Sequence, residues 1–174
     1  MLDVPTTATS FADVEHYLVA NAATDIATHF NSMVEIINRQ RKRKVSVKRW
    51  REFTITALES VERETRDLSI VFVTDAAMRK LNRQFRDKDC VTDVLSFPSQ
   101  TEPFESGQDA TLGEIVISVE RAIAQAKEND LSFTNEIEQL ILHGLLHLCG
   151  YDHETDKGEM NRLELKLRQT LGIQ

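Results

Sequence analysis

The sequence has little cysteine. Cys90 and Cys149 are the only two in 174 residues, too few for a disulfide framework, and they fit a reducing cytosol. Long apolar runs are missing too: no stretch approaches the roughly 20 residues that a membrane-spanning helix needs. The start, Met1-Leu2-Asp3-Val4-Pro5, has neither the basic region nor the continuous apolar core of a secretion signal. A cytoplasmic protein with no membrane partner is therefore expected. There is no internal repeat and no low-complexity linker. Of the three prolines, Pro98 and Pro103 fall with Gly107 between residues 98 and 112, which reads as a loop. What remains is ordinary globular material, 41% hydrophobic and 28% charged. Its length suits one domain with a sizeable core. We read residues 1–30 as an N-terminal extension and 31–174 as that domain.

Acid is absent from one window of an otherwise acidic chain. The net charge is −7, yet Arg39, Arg41, Lys42, Arg43, Lys44, Lys48, Arg49 and Arg51 follow one another with no Asp or Glu between them. A concentrated basic segment on an acidic body attracts phosphate locally. Trp50, inside the window, is placed to stack on a base. Arg41, Lys42, Arg43, Lys44, Lys48 and Trp50 are thus candidate RNA contacts. The same residues also read as a solvated turn and helix start with Trp50 in the core, and composition leaves both readings open.

The patterning predicts an α/β (α+β) fold: a small mixed sheet with about five to six helices. Short strands are expected at 33–37, 68–73, 92–97 and 114–118, where β-branched residues are dense or alternate with polar ones. Helices are expected near 10–28, 47–64, 75–85, 119–129, 135–149 and 154–171. Asp75 and Thr134 are the expected N-caps of the third and fifth of these. The fifth carries Ile137, Leu140, Ile141, Leu145 and Leu148, enough apolar surface to be the central helix. Strand order does not follow from these signals.

Three of the five histidines fall in His143-Gly144-Leu145-Leu146-His147-Leu148-Cys149-Gly150-Tyr151-Asp152-His153. On a helix, His143 and His147 lie about 40° apart around the axis and roughly 6 Å apart along it. Gly150 permits a left-handed turn that brings His153 back toward them. Three imidazoles with no obvious fourth protein ligand describe a catalytic zinc site with one position left for water or substrate. A distant fourth ligand, Asp93 or Asp156, would instead close the site into a structural one. Cys149 points away from the histidines and reads as a small buried residue. The spacing is also that of the metzincin proteases. There the residue after the first histidine is a glutamate that acts as general base, whereas here it is Gly144.

The histidine block resembles the HGxLHLxGYDH signature of the YbeY-type endoribonucleases. Two further blocks agree. Leu81-Asn82-Arg83-Gln84-Phe85-Arg86 with Thr92-Asp93-Val94-Leu95-Ser96-Phe97-Pro98 resembles that family's LNxxYR…TDVLSFP, and Gly113-Glu114-Ile115-Val116-Ile117-Ser118 resembles its GDIVIS strand. Phe85 stands for the usual Tyr and Glu114 for the usual Asp. The resemblance spans about residues 33–170. It implies a metal-dependent, single-strand-specific endoribonuclease of 16S rRNA 3′-end maturation, ribosome quality control and small-subunit assembly. It implies zinc on His143, His147 and His153, with Arg86 and His143 as the catalytic groups. The partners it implies are rRNA in the small ribosomal subunit, with a ribosomal protein or an assembly GTPase. Without the resemblance, Arg86 reads as a surface salt bridge to Asp87 or Asp89. The competing class is a non-catalytic zinc-containing assembly factor that binds RNA.

Overall fold

The computed structural model describes residues 34–61, 67–99, 111–153 and 155–174. The helix expected near 10–28 and most of the expected 98–112 loop lie outside them. Along the described chain run β1 (Val34–Asn38), α1 (Val47–Ser60), β2 (Asp67–Val73), α2 (Asp75–Arg86), β3 (Val94–Pro98), β4 (Thr111–Ser118), α3 (Val119–Glu128), α4 (Phe133–Leu148) and α5 (Glu159–Leu171). The strands form one sheet in the order β1-β2-β4-β3. The first three are parallel. β3 runs antiparallel along β4, from Val94 opposite Ile117 to Pro98 opposite Gly113. This is the expected mixed sheet in an α+β arrangement.

The pleat divides the core. Ile70, Phe72, Ile115 and Ile117 face Ala57 and Leu58 of α1 and Ile137, Ile141 and Leu145 of α4. Their neighbours Val71, Val73 and Val116 turn to the opposite face, as the twofold strand period requires, and meet Met78 and Leu81 of α2. α5 adds an outer layer, packing Met160 and Leu167 onto Leu142 and Leu146 of α4. α4 is thus covered by the sheet on one side and by α5 on another, which makes it the central helix. Met160 is wholly buried in this contact.

Several expectations are corrected. Trp50 is not available to stack on RNA: it is 3% exposed and lies against Phe72. The helical period of α1 puts it on the buried face with Thr54, Ala57 and Leu58. α2 is capped by Thr74, whose hydroxyl accepts from the Ala77 N–H, while Asp75 is in the first turn. α4 is capped by Ser132, which accepts from Asn135 N–H at 3.0 Å, so the helix begins before Thr134. α5 begins at Glu159 rather than near 154, because Asp156 accepts from the N–H groups of Gly158 and Met160.

Candidate metal centre

α4 carries His143 and His147 on a rigid, buried support. Gly144 is what lets this helix approach the sheet. A Cβ there would lie 2.8 Å from Ile115 Cγ2, and Ser96 Oγ donates to the Gly144 carbonyl at 3.2 Å. A side chain at this place would crowd Ile115 and Ser96, so packing as well as chemistry disfavours the protease reading's glutamate here. Beyond Leu148 the chain reverses. Gly150 takes φ of 90°, its N–H donates to the His147 carbonyl at 2.9 Å, and Tyr151 N–H donates to the Leu146 carbonyl at 3.1 Å. This turn delivers His153. The ring centroids then lie 4.7 Å (His143 to His147), 5.4 Å (His143 to His153) and 5.2 Å (His147 to His153) apart.

One ligand atom from each ring falls within 4.8 Å of the other two. His143 Nε2 and His147 Nε2 are 3.1 Å apart. Tetrahedral coordination with metal–nitrogen bonds of about 2.0–2.1 Å places neighbouring nitrogens about 3.3 Å apart, so the spacing fits one shared cation. Burial, followed by the His143 and His153 rings, lowers the pKa of His147 and favours the neutral form that binds metal. The two distant carboxylates are engaged elsewhere. Asp93 accepts from Thr92 Oγ1, Val94 N–H and Gln125 Nε2, and Asp156 accepts from the N–H groups of Gly158 and Met160. Among the described residues the metal-binding group is therefore the three histidines.

Behind His143 stands a residue that sequence reading missed. Glu164 of α5 accepts from His143 Nδ1 at 3.1 Å and from Arg168. Burial pushes the Glu164 carboxyl up, but the hydrogen bonds from His143 and Arg168 outweigh it and hold the group below its ordinary value. An ionised carboxylate only accepts, so the hydrogen of His143 is on Nδ1 and the Nε2 lone pair faces His147 and His153. That is the arrangement in which an outer carboxylate orients a ligating imidazole. Glu164 is 21 residues from His143, and no spacing rule links them.

The opposite side of the centre is built by the end of α2. Phe85 packs edge-on against Phe97 of β3, and Asn82 Nδ2 donates to the Cys90 carbonyl at 2.8 Å. These contacts fix the 87–93 connection, which helps to line a cleft of about 640 Å³. Its lining includes Arg86, Asn82, Asp93, Ser96 and the three histidines. Arg86 does not make the expected salt bridge. Asp89 is held bidentately by Arg79, at 2.9 Å from both nitrogens, and Asp87 turns left-handed at the helix end. The Arg86 guanidinium is thus left to the cleft.

The basic segment is not brought to this cleft: none of the lining residues comes from 39–51. It follows β1, at the sheet edge opposite β3. Buried Gln40 organises it, accepting from the Lys42 and Arg43 N–H groups and donating to the Arg43 carbonyl. Lys42 pairs with Glu120 at 3.3 Å, Lys48 with Glu52, and Arg43 lies 4.2 Å over the Phe133 ring. Arg41 and Lys44 are exposed.

Comparison with known proteins agrees with this geometry. The family profile described as Endoribonuclease YbeY matches residues 35–172. The chain is 45% identical over 118 residues to the Endoribonuclease YbeY of a Nitratiruptor species, covering 67% of this chain and 78% of that protein. It is 39% identical over 157 residues to the Endoribonuclease YbeY of Thermodesulfovibrio yellowstonii, covering 79% and 96% respectively. Among solved structures it is similar to the solution structure of TM1509 from Thermotoga maritima. The TM-score is 0.54 at 27% identity, over 79% of this chain and 88% of that one.

Proposed function

The chain belongs to the Endoribonuclease YbeY family, and from that premise we propose that its histidine centre holds one zinc ion and cleaves single-stranded RNA. The observation that carries this reading is the convergence of His143, His147, His153 and Arg86 on one cleft. A metal ion bound there supplies Lewis acidity and lowers the pKa of water. His143 and His147 bind through neutral nitrogens, and Glu164 keeps His143 in the required tautomer. Arg86 donates to a non-bridging oxygen of the scissile phosphate and stabilises the charge that builds there, where a planar guanidinium is well matched.

The substrate on this reading is rRNA, in maturation of the 16S 3′ end and in quality control and assembly of the small ribosomal subunit. That puts the protein in the cytoplasm, with a ribosomal protein or an assembly GTPase as a further partner. Among the described residues no helix is long and apolar enough to cross a membrane. The test is cleavage of an rRNA fragment spanning the 16S 3′ end by the wild type and by the His143→Ala/His147→Ala variant, purified identically. Cleavage by the wild type alone is expected. Equal cleavage by both would remove the histidines from catalysis.

A further inference from the structure

α2 carries Arg79, Lys80, Arg83 and Arg86, with no acid between Ala76 and Arg86. Its buried residues are Met78, Leu81 and Asn82, and all four cations are exposed. At 3.6 residues per turn, Arg79, Arg83 and Arg86 fall within about 60° of one another, in a stripe roughly 10 Å long. Lys80 lies about 60° from Arg83 on the outer side. The stripe borders the cleft, because Arg86 and Asn82, about 40° apart around the axis, both line it. At its start, α2 meets the basic segment that follows β1. Glu120 accepts from Asp75 N–H at 2.9 Å and pairs with Lys42 at 3.3 Å. Like charges three and four residues apart repel one another on a helix. Arg79 is relieved by its bidentate hold on Asp89. Arg83 feels Asp89 at longer range, but neither it nor Lys80 has a hydrogen bond or ion pair among the described residues.

We propose that single-stranded RNA runs along α2 between the basic segment and the cleft, with Arg83 and Lys80 holding phosphates that flank the one met by Arg86. The stripe has the sign that attracts a phosphate backbone. Its length matches about three nucleotides at the 3.4 Å per residue of one nucleic-acid strand. It ends on residues that line the cleft, so its ligand is the strand that the cleft takes rather than a separate acidic protein. Phosphate contacts position a strand without reading its bases. Arg83 and Lys80 thus hold the strand in register beside the metal centre and leave sequence choice to other groups. The inference rests on the RNA-cleavage reading above.

The test is binding of a fluorescent oligodeoxythymidine hexamer to the zinc-loaded full chain, read by anisotropy over a range of salt concentrations. This probe presents the same phosphates as RNA and is not the substrate of an endoribonuclease. For a single strand, the logarithm of the binding constant falls with that of salt by about 0.7 per neutralised phosphate. Lys80→Ala/Arg83→Ala should make the slope shallower by about 1.4 and weaken binding about 25-fold at 0.1 M salt. Arg83→Lys should keep the wild-type slope, since a phosphate contact needs the charge. Lys166→Ala, which removes one exposed charge from α5, should keep it too. An unchanged slope in Lys80→Ala/Arg83→Ala would overturn the track and leave the stripe to an acidic protein surface or to a role in helix stability. A fall in Lys166→Ala as large as in Arg83→Ala would overturn it as well, because net charge would then set the slope. The assay reads binding alone. Failure of the protein to cut RNA would therefore remove the nuclease reading, while the slope would still decide the track.

Discussion

A ligand, a charge-stabilising donor and a positioning carboxylate are different side chains here, so single substitutions separate the roles. His147→Ala removes one of three nitrogens from the metal-binding group, and stoichiometric metal in the purified protein should disappear. Retention of one ion per chain, by elemental analysis, would show that His147 is not a ligand. Arg86→Ala should keep its metal and lose about 10²- to 10³-fold in cleavage rate, the usual effect of deleting one donor to a developing charge. Wild-type activity in that variant would take Arg86 out of the mechanism. Glu164→Gln tests the positioning role. A glutamine amide can donate to Nδ1, which lets His143 adopt the wrong tautomer. Metal affinity in competition with a chelator should fall about 10- to 100-fold. An unchanged affinity would reduce Glu164 to a packing residue. The His143–His147 pair was legible in the sequence because both ligands share one helix face. Glu164 was not, because only the packing of α5 on α4 brings it near. Arg86 was legible only through the family resemblance. In sequence it sits beside Asp87 and Asp89, and the fold alone shows that Arg79 holds Asp89.

At the scale of elements, α4 is where fold and site meet. Its apolar residues made it the central helix in the sequence already, and the structure adds the reason for Gly144. Gly144→Ala forces a methyl group to within 2.8 Å of Ile115 Cγ2. Overpacking of this kind costs about 1–3 kcal/mol. The urea midpoint should fall accordingly, and an unchanged midpoint would mean that α4 has room to move off β4. Element boundaries were less legible than element existence. Thr74 and Ser132 cap their helices because their hydroxyls reach the N–H three residues on. Asp75 and Thr134 are equally good capping types by sequence, and each lies within two residues of the true cap. The placement of Trp50 follows the same logic. A basic window suggests exposure, whereas helical phase decides burial, and the phase of α1 turns Trp50 inward while Lys48 stays outside.

Across the whole molecule, the basic segment and the site are separated. The cleft is built at the β3 edge of the sheet, and the basic segment follows β1 at the other edge. Composition showed the segment but not its place, since strand order decides which edge it decorates. A patch so placed would reach a long strand only through phosphate contacts, away from the cleft. Neutralising Arg41, Lys42 and Arg43 together should weaken binding of a long single-stranded RNA and flatten its salt dependence. An unchanged slope of affinity against salt would return the segment to plain solvated surface. The claim on which the rest depends is that one ion on His143, His147 and His153 is needed for RNA cleavage. It is tested most directly by stripping the protein with a chelator, titrating zinc back, and following cleavage of the 16S 3′-end fragment. Activity should disappear on stripping and return in full at one zinc per chain. Cleavage at the original rate by the stripped protein would contradict the claim.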